Sequence, residues 1–160
     1  MYNLTINTYL KIIFSVSITS IISAYYIEFI LGHQPCNLCL FERIPYVLSV
    51  ILIITNYIFK INEKIIILLL IMIFLFSLIV SFYHFGIEQE FFQESVVCGA
   101  NNASDILSKD EILKQLQVKV VSCKDVTFRI FGFSLTTINM IVSFVFLTLL
   151  TKIYKNYEKF

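Results

Sequence analysis

A chain of 160 residues has room for one domain, and this one is 58% hydrophobic and only 14% charged, with a mean hydropathy of +0.84. A soluble domain of that size carries about a quarter charged residues, so an ordinary soluble globule is excluded. A net charge of +1 with no basic cluster gives no field for nucleic acid.

A spanning helix needs ~20 mostly apolar residues, because backbone polar groups find no water in about 30 Å of hydrocarbon. Four stretches meet that need. They predict an all-α integral membrane protein, a four-transmembrane-helix bundle forming a single membrane domain over residues 1–160. The first span runs from Ile12 to Leu31, with Glu28 near its end and Ser15, Ser17, Thr19, Ser20 and Ser23 able to bond back to the helix backbone. Lys11 ahead of it also suits a secretory signal peptide, but no small-residue cleavage site follows and another apolar segment comes at once. The second segment, Ile44 to Phe59, is short, and reaches a span over 42–59 only if Leu38 to Phe41 lies in the membrane interface. Glu42 and Arg43 are then expected at the edge of the hydrocarbon. Ile65 to Ile87 carries no formal charge, and Ile130 to Thr151 is equally clean between Arg129 and Lys152.

Two cysteine-bearing loops, 32–43 and 88–129, separate these spans. In the longer one, Phe91 and Phe92 read as interface anchors. Ser108-Lys109-Asp110-Glu111 reads as a capping box opening a short helix to about Gln117, with Ile112, Leu113 and Leu116 on one side, suited to the membrane surface. Asn102-Ala103-Ser104 matches a glycosylation acceptor, a short and weak motif. Lys and Arg near helix ends favour the cytoplasm. Lys11, the Lys60 to Lys64 turn and the Lys152, Lys155 and Lys159 tail form one such set, so both termini are expected inside. That puts Cys36, Cys39, Cys98 and Cys123 on the opposite face, where disulfides persist.

Cys36 and Cys39 form a CxxC in PCNLCLFERIPY, just before the second span. The spacing suits an exchangeable disulfide, a pair of metal thiolates, or haem attachment if His follows; Leu40 follows, which removes haem. Zinc needs two more ligands, for which Cys98 and Cys123 are available, but these are isolated cysteines in an oxidising compartment, so no resident metal is expected. Two static disulfides are the inert alternative. Against it, a CxxC closes too small a loop to constrain an unfolded chain much. Near a helix start, amides and the positive dipole end also stabilise a thiolate. Arg43, four residues after Cys39, shares a face with the CxxC if the helix continues back through it. Pro45 argues otherwise, since it biases Ile44 away from helix. A regular helix is therefore expected to begin near Arg43, with the CxxC in a non-helical turn. Arg43 at bilayer depth needs a partner, either Glu42 or Glu28, or else the oxygen of a bound head group. His84, near the end of the third span, suits interface packing, ligation or proton carriage.

These residues resemble the disulfide bond formation protein B (DsbB) family: four spans, PCNLC followed by Glu42 and Arg43, Tyr83-His84 closing the third span, one cysteine on each flank of the long loop, and Phe131-Gly132-Phe133-Ser134-Leu135 before the last span with Asn139 after it. Ile138 stands where many members carry tryptophan, and Thr136 where some have proline. The resemblance implies a thiol:quinone oxidoreductase of the bacterial inner membrane, with its cysteine loops in the periplasm. A reduced thioredoxin-like (DsbA-like) partner attacks a Cys98–Cys123 disulfide at Cys98, Cys123 then attacks Cys36, and Cys39 is left facing ubiquinone or menaquinone. Arg43, Glu42 and His84 are the implied quinone-side residues. Two other classes compete. A vitamin K epoxide reductase-like enzyme places its CxxC after the loop pair, whereas here it comes first. A tetraspanin-like scaffold has no use for a CxxC beside an arginine.

Overall fold

Only a helix or a closed barrel satisfies its own backbone within hydrocarbon, and each of the four apolar stretches is helical in the computed structural model. It describes residues 2–60, 62–93, 98, 122–124, 128–130 and 132–157. The elements are α1 (Tyr2–Phe29), α2 (Asn37–Phe59), α3 (Glu63–Glu88), a two-strand ribbon of β1 (Arg129–Ile130) and β2 (Phe133–Ser134), and α4 (Leu135–Tyr157). All four helices are long and apolar enough to cross a membrane. The expected surface helix near Ser108 to Gln117, the Asn102 acceptor and Phe131 lie outside the described residues.

Beside the cysteine loops, two helix starts differ from the sequence expectation for local reasons. Helix α2 begins at Asn37, six residues before Arg43, and carries Pro45 inside it. Cys39 is therefore helical and Cys36 stands at the helix cap, rather than both lying in a non-helical turn. Pro45 is buried in the bundle, where neighbouring helices make an internal proline tolerable. Helix α4 starts at Leu135 rather than Ile130, because Gly132 at φ +86° turns β1 onto β2 and pairs Arg129 with Ser134 and Ile130 with Phe133.

The helices pack in sequence, α1 on α2, α2 on α3 and α3 on α4. One core runs through all four, with Ile13 from α1, Ile53 from α2, Phe74 from α3 and Leu150 from α4. The outer surface is as apolar as the inside: Ile22, Ile51, Phe76, Ile79 and Phe144 all face outward. In water such a surface invites association; against lipid it is matched. Because lipid tails are themselves apolar, close packing and buried polar contacts hold the helices together. Phe74 is fully buried, edge-on to Tyr46 at 6.0 Å and to Phe146 at 4.9 Å. Ser17 meets Ser49 at 3.0 Å across α1 and α2, and Ser77 meets Ser143 at 2.8 Å across α3 and α4.

The end of α3 folds back on itself. Glu90 takes φ 62°, and the amides of Phe91 and Phe92 both donate to the Gly86 carbonyl. The Phe92 ring then lies over Gly86, where any Cβ would collide with it, and stacks on Tyr83 at 5.8 Å. Phe91 projects furthest outward, as an anchor would, and Phe92 is partly exposed beside it.

In this lipid-solvated bundle, Phe74→Ala should lower the unfolding free energy by about 3 kcal/mol through the cavity it leaves. Ser77→Ala should cost only about 0.6 kcal/mol, the usual size of an interhelical hydrogen bond in a membrane. Unfolding of the two variants in bicelles checks the order; equal losses would contradict a packing-dominated bundle.

Candidate functional site

The site starts at the first residue before α2. Cys36 has extended backbone (φ −72°, ψ 167°) and caps the helix, its Sγ accepting from the Cys39 amide at 3.3 Å. Serine, threonine or aspartate usually fills that position; a sulfur there meets the same unpaired amides and the positive end of the helix dipole. One turn on, Cys39 brings its own Sγ to 2.9 Å from that of Cys36. Both are free thiols, Cys36 buried and Cys39 half-buried. The Cys39 thiol beside it, with help from His84, outweighs burial and lowers the Cys36 thiol from 9.0 to about 4.

His84 is buried in the bundle, 1% exposed. Its Nε2 lies 3.5 Å from Cys36 Sγ, and its Nδ1 lies 2.9 Å from Glu42 Oε1 and 3.2 Å from Thr136 Oγ1. Glu42 is buried as well. Its second oxygen accepts from Asn139 Nδ2 at 3.0 Å, and the same amide nitrogen donates to Ser81 Oγ at 2.6 Å. Tyr46 O–H donates to Asn139 Oδ1. Glu88, one turn beyond His84, accepts from Thr136 at 2.7 Å and from Ser134 at 2.6 Å. Among the described residues no buried side-chain nitrogen or oxygen lacks a hydrogen-bond partner. A network satisfied to this degree holds its members in fixed positions.

Arg43 turns the other way. Of the two carboxylates expected to neutralise it, Glu28 on α1 does so, at 2.5 Å, and the Tyr25 ring lies 5.1 Å from the guanidinium carbon. Arg43, Cys36, Cys39, Glu42 and His84 all line a cavity of about 420 Å³ that α1 and α4 also border, with a mostly apolar surface. Cys98 and Cys123 form a disulfide, with Cα atoms 5.4 Å apart. Cys36, Cys98 and Cys123 belong to one buried cluster with Leu38 and Ile87, and Cys39 and Tyr83 pack against it. Four sulfurs distant in sequence thus share one patch of the structure.

Two comparisons bear on this site. The model of the family "Disulfide bond formation protein DsbB" matches residues 7–153, nearly the whole chain. The chain belongs to the DsbB family. It is accordingly a multi-pass membrane protein of disulfide bond formation. An uncharacterized protein of Rickettsia prowazekii (strain Madrid E) is 28% identical over 159 residues, covering 92% of each chain. No solved structure matches.

Around this DsbB family site, sequence reasoning named seven residues, and the structure gathers Cys36, Cys39, Glu42, Arg43 and His84 on one cavity with the Cys98–Cys123 bridge in the adjoining cluster. Glu88 and Thr136 went unnoticed as site residues. The signal for Glu88 was its place four residues after His84, which stacks the two side chains on one helix face. Thr136 gave no such signal, because its contacts come from another helix.

A thiol lowered to about 4 is fully ionised throughout the neutral range. In chelator-treated, reduced protein, alkylation of Cys36 should therefore stay constant between pH 6 and pH 8. An ordinary thiol, with a pKa of ~8.5, slows roughly tenfold per unit as pH falls. Peptide-resolved labelling rates check this, and a Cys36 rate that tracks pH like a free thiol would contradict the geometry.

Proposed function

We propose that this DsbB family protein is a protein-dithiol:quinone oxidoreductase. It reoxidises a thioredoxin-fold, DsbA-like partner in the periplasm and delivers the electrons to a quinone of the inner membrane. The observation that carries the reading is the shared cluster of all four cysteines beside a cavity that also holds an arginine. The short lysine-bearing segments favour cytoplasmic termini, and a relay built on disulfides needs the opposite, oxidising face. The whole chain then acts as one membrane domain.

Each exchange step is a thiolate attack through a mixed disulfide. A partner thiolate attacks Cys98, forming a mixed disulfide and releasing Cys123. Cys123 attacks Cys36 of a Cys36–Cys39 disulfide and releases Cys39. The partner's second thiol then resolves the mixed disulfide and leaves as a disulfide, and the freed Cys98 re-forms its bridge to Cys123 while Cys36 departs as a thiolate. In the stage that follows, the loop bridge is re-formed and Cys36 and Cys39 are both reduced. There the CxxC holds the two electrons.

The cavity suits a quinone ring by the chemistry of its lining: apolar walls, a guanidinium to donate to a ring oxygen, and two sulfurs. A bound quinone supplies a two-electron, two-proton sink, so that closing the Cys36–Cys39 bond yields quinol. Arg43, held by Glu28, keeps a fixed positive charge at that cavity. His84, backed by Glu42, offers Cys36 a partner for its proton.

Purified protein given a reduced thioredoxin-fold dithiol should oxidise it only when ubiquinone or menaquinone is added. Cys36→Ser and Cys39→Ser should each abolish that turnover, and Cys36→Ser should accumulate the mixed disulfide with the partner. Full quinone-dependent oxidation by either variant would overturn the relay. A hydrogen bond to a charged group is worth about 1.5–3 kcal/mol. Arg43→Ala should accordingly raise the KM for quinone roughly 10- to 100-fold while leaving the fold intact; unchanged quinone kinetics would return Arg43 to a structural role.

A further inference from the structure

The donor atoms of Cys36, Cys39 and His84 lie within 4.8 Å of one another. We propose that, in the reduced protein, Cys36 Sγ, Cys39 Sγ and His84 Nε2 bind one zinc-class cation, forming an inhibitory metal site that exists only while the CxxC is open. The sequence sought zinc ligands at Cys98 and Cys123, and those two are tied in a disulfide. The third ligand comes instead from α3, 48 residues from Cys36.

Three features carry the site. The first is distance. Zinc binds sulfur at ~2.3 Å and imidazole nitrogen at ~2.0 Å, so ligand atoms on a tetrahedral ion sit roughly 3.5 Å apart for a sulfur and a nitrogen, and roughly 3.8 Å for two sulfurs. Cys36 Sγ and His84 Nε2 are already 3.5 Å apart. The two sulfurs, at 2.9 Å, must separate by roughly 0.9 Å to reach that span, a small rotation about the Cα–Cβ bonds. The second feature is the other side of the imidazole. A metal-bound histidine almost always donates its remaining ring N–H to a carboxylate, carbonyl or water; here Nδ1 faces Glu42 Oε1 at 2.9 Å, leaving Nε2 directed at the sulfur. The third is access. All three residues line the cavity, which leaves a fourth coordination position for water.

Binding is an exchange of protons for metal: the thiol proton of Cys39 and any proton shared between Cys36 and His84 leave, two metal–sulfur bonds and one metal–nitrogen bond form, and no electron moves. The bound cation occupies both sulfur lone pairs that disulfide closure requires, so the metal and oxidation compete. An oxidised CxxC has no thiolate and does not bind. The proposal does not depend on quinone being the electron acceptor, because it needs only the open dithiol and the histidine.

The experiment uses the full chain with Cys98→Ser and Cys123→Ser, so that loop thiols do not contribute, reduced with a phosphine and titrated with cobalt(II) and then zinc. One equivalent of cobalt should give a sulfur-to-metal charge-transfer band in the near ultraviolet with tetrahedral visible bands, and zinc should displace it. Glu42→Gln should weaken zinc binding 10- to 100-fold, as loss of such an outer partner does elsewhere. His84→Gln should weaken it at least tenfold while the charge-transfer band shifts. The same polypeptide with Cys36–Cys39 oxidised serves as a folded control and should lose the band. A reduced protein with no sulfur-to-metal band would overturn the proposal. So would equal zinc affinity in the oxidised protein, or unchanged affinity and spectrum in His84→Gln.

Discussion

The contact on which the site depends joins the start of one helix to the end of another: Cys36, capping α2, faces His84 on α3, and His84 is held from behind by Glu42. A cysteine cap alone would leave an ordinary thiol near a helix dipole. A buried histidine alone would be a polar group requiring compensation. With the Cys39 thiol, which contributes most, and His84 beside it, Cys36 is a sulfur whose ionised form is stabilised before any substrate arrives. Cys36 and His84 also pin α2 to α3 at the level of the CxxC.

From that contact the polar network spreads in two directions without leaving the bundle. Glu42 reaches Asn139 and through it Ser81 and Tyr46; Thr136 reaches Glu88, which is also held by Ser134. Polar groups at membrane depth are costly when unpaired, and here nearly all of them answer one another across α2, α3 and α4. The rest of the bundle is a packed apolar frame with a few serine pairs. Arg43 stands apart from this network, tied to α1 through Glu28 and Tyr25. The cavity therefore has a buried, sulfur-bearing side and a cationic side, both built on the start of α2 but held by different helices, α3 for Cys36 and α1 for Arg43. That division suits a reaction in which electrons and protons leave sulfur and arrive elsewhere.

The four-helix architecture was legible because a run of some 20 apolar residues has few physical solutions. The CxxC and its arginine were legible because their spacing in the chain is short. What could not be read was set by contacts between helices. Pro45 pointed to a late start for α2, but bundle packing tolerates it and the helix runs back to Asn37, bringing Cys39 onto the helix and Cys36 to its cap. The pairing of His84 with Glu42 could not be read either, because each stands at the end of an apolar run and its partner lies on another helix. Glu28 was one of two partners weighed for Arg43, and only the packing of α1 on α2 decided between them.

The account rests on the sulfurs of the two pairs lying close enough to exchange, as their shared cluster implies. A chain carrying Cys39→Ser and Cys98→Ser keeps one cysteine of each pair, 87 residues apart in sequence. Mass spectrometry of this protein after mild oxidation in the membrane should find an intramolecular Cys36–Cys123 disulfide in most molecules. Two persistently free thiols, or bridges formed only between separate chains, would contradict it.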